Sequence, residues 1–225
     1  MSDLSTFAPQ LLSGLLLTIK LATASVAIGS PLGLLVAVAK MSPSGLVRAL
    51  AYGFANLFRA LPELLVVLTV YFGVQQAVDR MFGQGLEISP FMAGAASLSL
   101  IFAAYASEVF RAAYLAIPQG QVEAARAFGM TEMRILQRIR LPQMLRIALP
   151  SLGNLWLGLL KDTSLVAVIG LNELMRNAQI ATSVTKAPYT FYGAAALLYI
   201  LVSILSSALL RRLELWRGLG PALAA

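Results

Sequence analysis

Five apolar stretches, each long enough to cross a bilayer, constrain this chain more than any other feature. They run from about Leu11 to Ala39, Ala60 to Val78, Phe91 to Ala116, Leu145 to Ile169 and Phe191 to Leu210. A spanning helix needs ~20 mostly apolar residues, because lipid offers no partner to the backbone N–H and C=O groups. The expectation is an all-α membrane protein with five transmembrane helices, built as a single domain over residues 1–225. Charged residues make up only 12% of the chain, against roughly a quarter in soluble domains. Gly29, Pro31 and Gly33 interrupt the first run, but neighbouring helices in a membrane can satisfy freed backbone groups. The spacing of Gly29 and Gly33 also allows another helix to come close.

The loops carry the orientation. Lys40 and Arg48 flank the first loop, Arg111, Arg126, Arg134, Arg138, Arg140 and Arg146 crowd the third, and Arg211, Arg212 and Arg217 follow the last span. The intervening connections hold only Arg80 in one and Arg176 with Lys186 in the other, beside Asp79, Glu87 and Glu173. Basic loops stay in the cytoplasm, so the amino terminus is expected outside and the carboxyl terminus inside a bacterial inner membrane. The net charge of +7 is read as this loop asymmetry together with contact to membrane lipid, not as nucleic-acid binding. The opening MSDLSTFAPQ has an aspartate and no basic stretch, so no cleavable leader is expected. With no cysteine and no histidine, thiolate chemistry, disulfides and the usual zinc or iron ligands are excluded. No catalytic residue and no metal site are expected.

One polar segment stands apart, EAARAFGMTEMRILQRIRLP at residues 123–142. Glu123, Ala124, Ala125, Phe128 and Gly129 suit a short helix closed by a glycine in the left-handed region. Thr131 to Arg140 then suits a second, amphipathic helix, until Pro142 prevents simple continuation. Taken alone, such a loop reads as one that holds arginines inside and attracts anionic lipid.

The spacing of EAA, Gly129, Ile139, Leu141 and Pro142 resembles the EAA loop of permease subunits of ATP-binding-cassette (ABC) importers. The stretches RALPELLVVLTVYFG from Arg59, AYASEVFRAAYLAIPQGQVEAARAFGM from Ala104 and GNLWLGLLKDTSLVAVIGLNEL from Gly153 are similar to the polar amino acid branch of those permeases. The resemblance implies a type I importer permease fold with a cytoplasmic coupling loop at about 117–142. It also implies a second permease subunit (a paralogue or an identical copy), an ABC ATPase subunit dimer and a substrate-binding protein. Glu123, Ala124, Ala125, Phe128, Gly129, Met130 and Arg134 would then contact the ATPase. The chain has no GxxxxGK[ST] phosphate loop, so no cofactor is expected on it; ATP and Mg²⁺ belong to the partner ATPase.

Charges inside spans mark the candidate substrate site. Arg59 and Glu63 are four apart and share a face if one helix holds both; they either neutralise each other or line a pathway. Glu108 and Arg111 are expected to anchor the third span to the EAA loop. Lys161, Asp162, Thr163 and Ser164 interrupt the fourth span and offer one group of each sign with two hydroxyls, which a free amino acid requires. The alternative is that Lys161 and Asp162 only compensate each other. Asn154 and Trp156 stand nearby, and a basic substrate would need Glu63. The cargo is expected to be a polar amino acid or an opine, with methionine, a sulfonate or another small solute as the alternative. A stand-alone carrier fits poorly, for no internal repeat is visible. A membrane-embedded enzyme lacks the His, Cys or paired acids it would need.

Overall fold

A helix-breaking proline and two short non-α turns decide where the apolar runs bend. The computed structural model describes residues 2–83 and 87–216, and Arg217 lies outside them. The elements are α1 (Ser2–Lys40), α2 (Gly45–Ala60), α3 (Glu63–Phe82), α4 (Pro90–Leu115), α5 (Gln119–Ala127), α6 (Glu132–Ile135), α7 (Leu141–Asp162), α8 (Leu174–Thr185) and α9 (Pro188–Trp216). A π turn at Leu136–Arg140 joins α6 to α7, and a 3₁₀ turn at Thr163–Ile169 follows α7. Among the described residues, four helical stretches are long and apolar enough to cross a membrane: Leu4–Lys40, Pro90–Leu115, Glu132–Ile169 and Pro188–Glu214. The second expected span, Ala60 to Val78, falls on the later half of a bent pair, Gly45–Ala60 with Glu63–Met81, at 109°.

The break follows from Pro62. Proline pushes the residue before it out of the α region, and Leu61 duly sits at φ −80°, ψ 144°. Arg59 therefore lies in the last turn of α2 while Glu63 begins α3, and the expected shared helix face does not exist.

Pro142 behaves differently. The helix was expected to stop there, yet the polar loop runs straight into α7. A proline ring clashes with the preceding turn of an α-helix and donates no bond to it. The wider π turn immediately before it relieves that conflict.

α4 forms the axis of the bundle. Its small residues, among them Ala93, Gly94, Ala103 and Ala106, are buried and let α1, α3 and α7 close in. Ser97, Ser99 and Ser107 stay satisfied by returning their hydroxyls to the carbonyls of Ala93, Ala95 and Ala104. The expectation for Gly29 and Gly33 holds along the α1–α4 seam. A Cβ on Gly33 would lie 2.9 Å from the Ala106 Cβ, and one on Gly29 would lie 2.9 Å from the Ser99 carbonyl oxygen.

α8 has no counterpart among the expected spans. It buries Leu174, Ala178 and Ala181 against Leu11 and Phe191, and Glu173 caps it. The Glu173 carboxylate accepts from the backbone N–H groups of Met175 and Arg176 at 3.0 and 2.8 Å. It also accepts from Thr18 of α1 at 3.3 Å and Tyr199 of α9 at 3.1 Å. One fully buried acid thus ties three helices together.

Candidate functional site

Three helices meet around a cavity of about 170 Å³. From α7 come Asn154, Gly158 and Asp162, four residues apart and so on one face, with Leu155 and Leu159 beside them. α4 supplies Ile101, Phe102 and Tyr105, and α3 supplies its first residue, Glu63. Gly158 meets nothing within 4 Å where its side chain would be, which keeps the wall open. The Asp162 carboxyl lies within hydrogen-bonding reach of Glu63. No lysine or arginine lines the cavity, so two carboxylates face it without a cation on its wall.

The expectation of one charge of each sign is therefore corrected. α7 continues through Lys161 and Asp162 instead of breaking, and consecutive side chains on a helix diverge by ~100°. Asp162 turns inward while Lys161 is exposed and off the lining. Thr163 is fully buried and gives its hydroxyl to the Leu160 carbonyl at 2.8 Å. Ser164 gives its hydroxyl to the Lys161 carbonyl at 2.7 Å. Neither hydroxyl nor Trp156 lines the cavity, whereas Asn154 and Glu63 do. Tyr105, Phe102 and Ile101 were missed, since nothing in their local sequence distinguishes them from packing residues.

Arg59 stands just behind this wall. Its guanidinium lies 5.7 Å from the centre of the Tyr105 ring and donates to Glu108 at 3.3 Å. Glu108 also accepts from Lys40 at 2.9 Å and Arg111 at 3.2 Å. Lys40, which flanks the first loop, is buried and donates to Ser107 as well, at 2.7 Å. The expected anchor from Glu108 and Arg111 to the EAA loop is thus replaced by a junction of α1, α2 and α4. The loop is held instead by Tyr114 with Arg140, and by Gln143 donating to Gln121 at 2.7 Å.

The polar loop forms a hairpin of α5 and α6. Gly129, at φ +75°, closes α5 with its N–H on the Arg126 carbonyl at 2.9 Å, and Met130 N–H reaches the Ala125 carbonyl at 3.1 Å. This pair of bonds is the glycine-closed helix end. Val122, Ala125 and Ile135 are buried inside the hairpin, with Met130 and Ile139 packed on them. Ala125 and Met130 therefore hold the hairpin together and do not form its outer surface. Glu123, Ala124, Gly129 and Arg134 are exposed, and Phe128 is 88% exposed at the tip. Arg126 donates to Glu132 across the turn at 2.5 Å, and that carboxylate holds the already basic guanidinium higher still.

Comparison with known proteins places the whole chain among transport permeases. The family described as binding-protein-dependent transport system inner membrane component matches residues 29–217. The arginine ABC transporter permease protein ArtQ of Haemophilus influenzae is 42% identical over 211 residues, covering 94% of this chain and 95% of the relative. The octopine transport system permease protein OccQ of Rhizobium radiobacter is 38% identical over 223 residues, covering 95% and 94%. The histidine/lysine/arginine/ornithine transport system permease protein HisQ of Escherichia coli is 36% identical over 212 residues, covering 92% and 93%. Among solved structures, the crystal structure of an amino acid ABC transporter with histidines matches with a TM-score of 0.83 at 34% identity, over 94% of this chain and 95% of that one. The methionine ABC transporter MetNI, in inward-facing form, shares the fold at 20% identity with a TM-score of 0.69, over 94% of this chain and 95% of that one.

Proposed function

Because the chain belongs to the family of binding-protein-dependent transport system inner membrane components, and is a permease subunit of an ABC importer for polar amino acids or opines, we propose that its cargo is a cationic amino acid or an opine bearing a comparable cation. The observation that carries this reading is the pair of carboxylates, Glu63 and Asp162, turned into one cavity with no cation on its walls. A charge in such a setting is costly unless paired, and an ammonium or guanidinium group supplies the partner. A sulfonate, being anionic, meets the wrong sign there. The relatives named for arginine and for histidine, lysine, arginine and ornithine support the same class.

In this reading the basic hairpin faces the cytoplasm, the amino terminus lies outside, and the exposed Phe128 tip docks on one subunit of an ABC ATPase dimer. ATP and Mg²⁺ are bound there, not on this chain. A substrate-binding protein delivers the cargo from the outer side, and a second permease subunit completes the pathway. ATP binding draws the ATPase subunits together, the hairpins follow, and the cavity alternates between the two sides of the membrane.

The test is ATP-driven uptake of labelled arginine by the reconstituted importer. Asp162→Asn is expected to reduce uptake at least tenfold while the ATPase subunits still assemble. Unchanged uptake by that variant, or transport of arginine without the ATPase, overturns the reading.

A further inference from the structure

We infer that Arg59 is the group that recognises the α-carboxylate of the cargo, and so sets the importer's preference for amino acids over the corresponding amines. The inference rests on the cationic reading of the cavity and extends it to the remaining charge of the ligand. A cationic amino acid carries two positive groups and one negative group. Glu63 and Asp162 stand close enough together to answer one of the positive groups as a pair. No cation on the wall answers the negative group, to which only the Asn154 amide and the Tyr105 hydroxyl can donate.

Arg59 is the cation in position to do so. Glu108 has three cations around it, and one carboxylate does not need three. Lys40 is fully buried and makes the shortest of the bonds, at 2.9 Å, and Arg111 is fixed three residues along the same helix. Arg59 makes the longest bond, 3.3 Å, and its side chain is 39% exposed. If it leaves, Glu108 stays paired twice. Its guanidinium already leans on the ring of Tyr105, a residue of the cavity wall, and Glu63 lies four residues on, just beyond the Pro62 bend. A planar guanidinium also suits a carboxylate, which it can grip with two parallel bonds. Arg59 on one side and the Glu63–Asp162 pair on the other then meet the ligand's carboxylate and a cation of the ligand.

The experiment is ligand binding to the assembled permease–ATPase complex in nanodiscs without the substrate-binding protein, so that only the permease site is read. The probes are labelled arginine and agmatine, its decarboxylated amine. Wild type is expected to prefer arginine by roughly tenfold or more, the effect of one charge-assisted contact. Arg59→Gln should bring arginine down to the level of agmatine while agmatine binding is kept, which also shows that the cavity is intact. Arg59→Lys, which keeps the charge but not the fork, should retain part of the preference. If Arg59→Gln leaves the ratio unchanged while Asp162→Asn removes both ligands, the role of Arg59 is wrong and the cationic cavity stands. If wild type binds neither ligand, the cavity reading fails and takes this inference with it.

Discussion

Adding one methyl group at Gly33 tests the α1–α4 seam on which the cavity wall and the Glu108 junction both depend. In Gly33→Ala the new Cβ would sit 2.9 Å from the Ala106 Cβ and 3.0 Å from the Ala103 carbonyl oxygen. Ordinary contacts between such atoms begin near ~3.5 Å. Neither obstacle can rotate away, since one is a Cβ and the other is backbone, so the two helices must part. Overpacking of this kind costs about 2–3 kcal/mol, and replacing glycine by alanine inside a helix returns about 1 kcal/mol. The net loss is about 1–2 kcal/mol. Gly53→Ala is the matched control, since a Cβ there meets nothing within 4 Å; it should gain about 0.5–1 kcal/mol. Both can be measured by unfolding the purified protein with a denaturing detergent. A Gly33→Ala variant that tracks Gly53→Ala would refute the claim that close approach, not chance, places glycine at the seam.

Phe128→Ala should leave membrane insertion intact and weaken ATPase capture by at least tenfold in a pull-down, as expected for an aromatic anchor. Glu173→Ala leaves two backbone donors and two hydroxyls without their acceptor in a buried site. It should lower stability by about 2–3 kcal/mol or more, read as a fall in thermal midpoint, whereas Glu173→Gln keeps one acceptor oxygen and should lose less. Glu108→Ala strands the buried Lys40 charge and should cost about 3–5 kcal/mol, whereas Lys40→Met leaves Glu108 with two arginines and should cost clearly less. Equal losses from the two would argue against a buried charge as the cause.

Hydropathy was enough to locate the spans, because burial in lipid acts on every residue of a run at once. Direction within a run was harder to read. Whether Asp162 or Lys161 turns inward depends on the helix passing straight through both, and the polar KDTS stretch suggested a break instead. Arg59 and Glu63 matched a helical pair by spacing alone, and Pro62 overrode it by turning the chain between them. At Pro142 the same residue type did not stop the helix, since a π turn one step earlier absorbed the conflict. α8 stayed hidden because LMRNAQIATSVT is too polar to read as a span and is held by Glu173, whose partners come from α1 and α9. The hairpin was legible in its turn glycine, but which alanine faces inward was set by Ile135 beyond the turn.

The absorbed proline has a mechanical consequence. With no break at Pro142, the stretch from Glu132 to Ile169 is 38 residues of unbroken helical rise, roughly 57 Å at 1.5 Å per residue. The hairpin sits at one end of this push rod and Asp162 near the other. A displacement applied at the tip is therefore carried along the helix towards Asp162, and the π turn and Pro150 inside α7 are the places where the rod can flex.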